Sequence, residues 1–210
     1  MTYRLVFAGD SITDAGRDRS DDLSLGDGYV SLVAEELRHR DHGAVVINRG
    51  IAGNRAVDLE RRWADDVLAE SADVVTLYVG VNDTWRRFDD DDPTSADDFA
   101  TTCRRMLDTL ASGPGSSPLV LLVEPYLVIA RAEQRDWLAD LDPKRAAIAR
   151  LADESGAMFI SLHETMTAAA AEHGAAAIAP DGVHPTPAGS RIIADAWLAA
   201  FDAAPGRARA

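Results

Sequence analysis

The chain has 210 residues, enough to bury a sizeable core in one domain, and its 47% hydrophobic and 27% charged composition is that of an ordinary globular protein. Its 21 Lys and Arg against 35 Asp and Glu leave a net charge of −14, which argues against nucleic acid or an anionic membrane surface as partner. The single cysteine, Cys103, excludes an intrachain disulfide.

Met1-Thr2-Tyr3-Arg4 runs straight into a strand-like segment with no basic and apolar leader, and no apolar run reaches the length of a membrane span. A cytoplasmic location is therefore expected. The first strand is predicted over residues 4–8, and Gly9-Asp10-Ser11-Ile12-Thr13 follows it directly. A helix over 29–40 carries Val30, Val33, Ala34 and Leu37 on one face, with His39 and His42 solvated at its arginine-rich end. A second strand over 44–48 leads into Asn48-Arg49-Gly50-Ile51-Ala52-Gly53-Asn54, and a third over 74–79 into Gly80-Val81-Asn82-Asp83. The acidic run 89–92 lacks the alternating ligands and glycine of a calcium loop and reads as a solvated turn.

A helix over 95–111 opens with Ser95 and Asp98 in capping-box spacing. It sets Cys103 in an apolar stripe with Phe99, Met106, Leu107 and Leu110, as a small buried hydrophobe. A strand over 119–123, a helix over 143–156 ending at a left-handed glycine cap, and a strand over 158–161 come next. His163 and His173 flank an alanine-rich helix in helix-terminal roles. The last helix has Thr186 as N-cap and Pro187 at its first position, then Ile192, Ile193, Ala196, Trp197 and Phe201. With no repeat or linker visible, residues 1–202 are expected to form one domain, and 203–210 a frayed tail. Strand–helix alternation of this kind predicts an α/β fold, a parallel sheet covered by helices on both faces.

Ligands gather at the carboxyl ends of strands in such sheets. A serine after Gly9 can present its hydroxyl there, although Ser11 or Asp10 can equally cap the next helix. A serine hydroxyl needs a base to take its proton, and the best base is His184 in Pro180-Asp181-Gly182-Val183-His184-Pro185-Thr186. Asp181, three residues earlier, is placed to bond the far imidazole nitrogen and fix its tautomer. The same pair also suits a surface turn or half of a metal site. Gly53 can offer a backbone N–H, and Asn82 its side-chain amide, to a developing oxyanion, though each also reads as a turn residue.

Ser11, Gly53, Asn82 and His184, with Asp181 beside the last, occur in the order of the motifs of the SGNH (GDSL) hydrolase family, which the sequence resembles from Gly9 to Gly189. The resemblance implies a three-layer α/β/α sandwich around a five-stranded parallel sheet and a shallow site without cofactor or metal. It also implies an oxyanion hole made by the N–H groups of Ser11 and Gly53 with the Asn82 amide. Residues 9–17, 48–59 with Trp63, 80–87 and 183–189 are similar to the intracellular bacterial acetylxylan esterases, which deacetylate short xylan fragments and can form homo-oligomers. Pro180 stands where those esterases tend to carry an aromatic residue.

Further candidates for substrate contact are Asp10, Trp85, Arg86 and Tyr126. Trp85 suits a sugar face or packing against a helix or subunit. Asp14 and Arg17 form either a pair steadying the Ser11 loop or a surface salt bridge. The function expected is a serine esterase acting on short acyl esters, with an acetylated sugar as the partner molecule. A broader lipase or thioesterase shares the motifs. A metal phosphohydrolase built on Asp10, Asp83, Asp181 and His184, or a non-catalytic carbohydrate-binding protein, are the rivals outside that class.

Overall fold

The structure, a computed structural model, describes residues 3–40, 43–112 and 117–204. Five short apolar runs become strands: β1 (Tyr3–Gly9), β2 (Ala44–Gly50), β3 (Val74–Tyr78), β4 (Leu119–Val123) and β5 (Met158–Ile160). They pair in parallel in the order β2-β1-β3-β4-β5. Because β1 connects outward to β2 on one side and lies against β3 on the other, the strand order reverses at β1/β3. That reversal opens a crevice at the carboxyl ends of these two strands. Gly9 is in register with Gly50 on one side and Tyr78 on the other, so the loops leaving all three strands start at one level.

Alternate residues build two cores, as the two-residue period of a strand requires. Leu5, Phe7, Val74, Tyr78 and Leu121 face one layer, and Val6, Ala8, Val75, Leu77 and Leu122 face the other. The helices in chain order are α1 (Ser11–Asp14), α2 (Tyr29–His39), α3 (Ala56–Arg61), α4 (Trp63–Asp66), α5 (Val81–Asp89), α6 (Ala96–Ser112), α7 (Arg135–Ser155), α8 (His163–His173), α9 (Ala175–Ile178) and α10 (Pro187–Ala203). Helices α2 and α10 cover the first face, where Trp197 lies 5.1 Å from the Phe7 ring and donates its indole N–H to Thr76 Oγ1 at 2.8 Å. Helices α3 and α6 and the second half of α7 cover the other, with Cys103 fully buried among them. This is the three-layer α/β/α arrangement expected.

Three expectations need correction. The helix placed over 143–156 begins at Arg135, with Pro143 in its interior. Trp137 and Leu141 are buried on the amino-terminal side of the proline, so packing carries the helix through a residue that would break it in isolation. Ala203 and Ala204 do not belong to a frayed tail: Ala203 ends α10 and Ala204 is buried, while 205–210, like His42, lie outside the described residues. The Asp14 and Arg17 side chains do not pair, although the Arg17 N–H donates to the Asp14 carbonyl at 3.0 Å. Arg17 Nε donates to the Gly50 carbonyl at 3.0 Å and Asp14 Oδ2 accepts from the Ala52 N–H at 2.9 Å, so each ties α1 to the loop after β2. The acidic run answers to arginines, with Asp89 and Asp90 paired to Arg86 and Asp92 to Arg55. Among the described residues no helix is long and apolar enough to cross a membrane.

Candidate active site

Ser11 opens α1 immediately beyond β1. Both readings of its pentapeptide hold together: Asp10 caps α1 by accepting the Ile12 N–H at 3.0 Å, and that cap fixes the turn from which Ser11 projects. The Ser11 hydroxyl lies 2.8 Å from His184 Nε2, although the two are 173 positions apart in the chain. His184 Nδ1 is 2.6 Å from Asp181 Oδ2, and Asp181 Oδ1 accepts the backbone N–H groups of Val183 at 2.9 Å and His184 at 2.8 Å. Burial works to raise the Asp181 carboxyl, but the bonds from His184 and from the two backbone donors outweigh it and hold it below its ordinary value. It is therefore ionised at neutral pH and able to stabilise an imidazolium.

The segment carrying Asp181 and His184 has no regular structure of its own and is clamped from outside. Gly182 adopts φ +92°, and a Cβ there would come within 2.5 Å of the Val128 carbonyl, so the position accepts only glycine. Gln134 Nε2 donates to the Asp181 carbonyl at 2.6 Å, and the Tyr126 hydroxyl donates to the Val183 carbonyl at 2.5 Å. Thr186 then caps α10 through the Gly189 N–H.

The loops after β2 and β3 meet beside the serine. Asn82, in the first turn of α5 and almost fully buried, donates through Nδ2 to the Asn54 carbonyl at 3.1 Å, leaving its second amide hydrogen for another acceptor. Gly53 holds φ +82°, and among the described residues neither its N–H nor that of Ser11 has an acceptor. Arg62 braces this region, with Nη2 donating to the Gly9 carbonyl at 3.0 Å, Nη1 to the Arg49 carbonyl at 2.7 Å and Nε to Asn54 Oδ1 at 2.8 Å. Asn48 adds a second brace, its amide donating to the Thr13 and Leu25 carbonyls at 2.7 and 2.8 Å.

Of the four further candidates, two border the site and two do not. The Trp85 ring is 5.9 Å from the His184 ring and 5.5 Å from Trp137, so it both flanks the site and packs on α7. Arg86 stands over Gly53, where an added Cβ would lie 3.7 Å from Nη2. Asp10 and Tyr126 are buried and have no face toward substrate. Tyr126 anchors the His184 loop instead, and Asp10 caps α1. Burial pushes the Asp10 carboxyl up to about 7, against the Ile12 N–H and the nearby His184, which pull it down. Asp83 is likewise buried and pushed up to about 7 against the Ala56 N–H, Lys144 and Arg55.

With Asp10 and Asp83 turned inward and Asp181 committed to His184, the residues proposed for a metal do not converge. Among the described residues no group of three or more His, Cys, Asp and Glu side chains is placed to hold one. Of the other histidines, His39 and His173 are exposed, and half-buried His163 accepts the Leu127 N–H at 3.4 Å.

Gln134, Arg62 and Asn48 were not singled out as site residues from the sequence. Only Asn48 carried a signal, as the first residue of the segment that leads to Gly53.

The sequence matches the GDSL-like lipase/acylhydrolase family over residues 7–192. It is 33% identical over 205 residues to an acetylxylan esterase of Geobacillus stearothermophilus, covering 93% of this chain and 92% of that protein. The crystal structure of that esterase superposes with a TM-score of 0.86 at 32% identity, over 99% of this chain and 97% of the other. Its solved catalytic mutants have a serine or a histidine replaced by alanine. A GDSL-like lipase candidate from Parabacteroides merdae superposes with a TM-score of 0.89 at 30% identity over 94% of each chain. The match spans nearly the whole chain in sequence and fold alike, so the chain belongs to the GDSL-like lipase/acylhydrolase family and is a carboxylic ester hydrolase.

Proposed function

We propose that this esterase removes acetyl groups from neutral carbohydrates such as xylo-oligosaccharides, with Ser11 as nucleophile, His184 as general base and acid, and Asp181 as the group that orients it. The observation that carries the reading is the continuous chain of contacts from Ser11 Oγ through His184 to Asp181, 2.8 Å and then 2.6 Å.

His184 takes the Ser11 proton as the hydroxyl attacks the ester carbonyl, and the oxyanion is held by the N–H groups of Ser11 and Gly53 and the Asn82 amide. The ester C–O bond then breaks, the alcohol leaving with the proton from His184. Water attacks the acetyl-enzyme by the same route, releasing acetate and restoring the serine.

A substrate that reaches the serine from an open face is supported by the setting, in which the His184 side chain is 47% exposed. A sugar as the alcohol is supported by the relative, an acetyl-xylooligosaccharide esterase. The net charge of −14 favours a neutral substrate over an anionic lipid surface.

The test is hydrolysis of p-nitrophenyl acetate, butyrate and octanoate by wild type and Ser11→Ala, with and without chelator, followed by acetylated xylo-oligosaccharides. Acetate turnover that vanishes in Ser11→Ala and ignores chelator is expected. Activity surviving in Ser11→Ala would overturn the triad, and a preference for octanoate would overturn the acetyl assignment.

A further inference from the structure

The cleft of about 210 Å³ beside Ser11 and His184 is asymmetric in its chemistry. Ile12, Ala15, Pro185 and Pro187 give it apolar walls, and Asp27 is the acidic residue of its lining. It borders Ser11 and His184 but neither Gly53 nor Asn82. The position matters because the leaving oxygen of an ester must face the imidazole that returns its proton. With the carbonyl oxygen turned toward Gly53 and Asn82, the alcohol half of the ester extends into the cleft on the His184 side.

Asp27 is held ready there. Its backbone N–H donates to the Ala15 carbonyl at 3.0 Å, and Gly28, the next residue, is the N-cap of α2, so the backbone beneath the carboxylate is fixed at both ends. The side chain is exposed, and among the described residues its carboxylate accepts no hydrogen bond and joins no ion pair. Asp22, Asp58, Asp66, Asp89 and Asp92, by contrast, are each met by an arginine. The amino end of α2 opens on the same wall, but its half positive charge is outweighed by the full negative charge one residue earlier. An ionised carboxylate offers only acceptors, and an alcohol rich in hydroxyls offers donors to match.

We propose that Asp27 selects the leaving alcohol, accepting hydrogen bonds from the hydroxyls of a neutral polyol and repelling a leaving group that carries a carboxylate or phosphate. The proposal rests on the assignment of Ser11 and His184 above, and it identifies the face of that site that reads the alcohol.

Two variants test it, both at an exposed position where folding is not at stake. Asp27→Ala is assayed on p-nitrophenyl acetate and on acetylated xylobiose. A hydrogen bond to a charged acceptor makes a tenfold or larger fall in kcat/KM the expectation for the sugar ester, with the p-nitrophenyl ester within twofold of wild type. Asp27→Asn is assayed on 4-acetoxybenzoate and its uncharged methyl ester, which differ only by a carboxylate on the leaving group. Wild type should prefer the neutral ester, and the preference should shrink severalfold in Asp27→Asn at low salt and less at high salt.

An unchanged preference in Asp27→Asn, or wild-type sugar hydrolysis by Asp27→Ala, overturns the proposal. If wild type cleaves p-nitrophenyl acetate but no acetylated sugar, the sugar substrate fails, and the charge preference alone then decides the role of Asp27. Failure of the underlying site assignment has a separate mark, activity persisting in Ser11→Ala.

Discussion

Replacing Asp181 by asparagine should be far more damaging than its small change in shape suggests. Both carboxylate oxygens are in use: Oδ2 faces His184 Nδ1 at 2.6 Å, and Oδ1 accepts the N–H groups of Val183 and His184. An asparagine must keep its oxygen toward those two donors, since turning its NH2 group to them would set donor against donor and leave the buried Val183 N–H unsatisfied. The NH2 group is thereby driven toward His184 Nδ1, which must give up its proton to accept. The ring hydrogen then sits on Nε2, where it donates to the Ser11 hydroxyl and cannot take its proton. A wrong tautomer of this kind lowers kcat by roughly 10³ to 10⁴, equivalent to about 4–5.5 kcal/mol of transition-state stabilisation. The assay is kcat and KM on p-nitrophenyl acetate beside urea unfolding of the same preparations. The unfolding midpoint should stay close to wild type, because the two backbone bonds survive. An Asp181→Asn enzyme within tenfold of wild-type kcat would refute the argument. So would a loss of activity matched by a loss of stability, which would make Asp181 a loop brace only.

Asn82→Ala should lower kcat on the same ester by about 10² to 10³ with little change in KM, since the donor acts on charge that develops only in the transition state. Unchanged turnover would remove Asn82 from the oxyanion hole. Tyr126→Phe should destabilise the fold by about 1–3 kcal/mol in urea unfolding, because it strips the buried Val183 carbonyl of its partner, and should lower kcat severalfold by loosening the His184 loop. Stability equal to wild type would show that the carbonyl finds another donor. Asp83 titrates at about 7 in the folded chain against an ordinary 3.8. The folded chain therefore binds this proton more tightly, and the stability it contributes is complete below pH 4 and lost as pH rises to 7. Asp83→Asn does not titrate, so its urea midpoint should fall less than that of wild type between pH 4.5 and 7.5. A residual slope from Asp10, which has the same sign, should remain. Equal slopes in the two proteins would refute the buried-carboxylate account.

Local signals carried the sheet and the reactive groups. Buried parallel strands read as short β-branched runs, and those ending near Ala8, Asn48 and Val79 lie within two residues of their observed ends. The cap and proline of α10 are local chemistry, and so is the left-handed glycine that ends α7. The start of α7 was not legible, because Pro143 signals a first turn and only the burial of Trp137 and Leu141, with Trp137 packed on Trp85 and Phe88 of α5, overrides it. Tyr126 was misread for a related reason. An aromatic residue past a strand end suits a sugar platform or an anchor equally well, and the separation of 57 positions between Tyr126 and Val183 hides which one it serves.

The same distinction divides the site. The groups proposed to carry the chemistry lie in short motifs whose residue types the chemistry dictates: a hydroxyl, an imidazole, a carboxylate, an amide. The groups that hold them need only be some donor at the right point in space, so nothing in the sequence marks them. Gln134 reaches the Asp181 carbonyl across 47 residues, and Arg62 reaches the Gly9 carbonyl across 53. Yet an open site depends on such clamps more than an enclosed one would. With the His184 side chain 47% and the Asp181 side chain 39% exposed, neighbouring side chains do not hold the pair by enclosing it. Its geometry comes from backbone carbonyls pinned by Gln134 and Tyr126 and from a glycine wedged under Val128. Open access to Ser11 and a fixed Ser11–His184 distance are thus reconciled by placing the rigidity beneath the site, in the buried residues Gln134 and Tyr126.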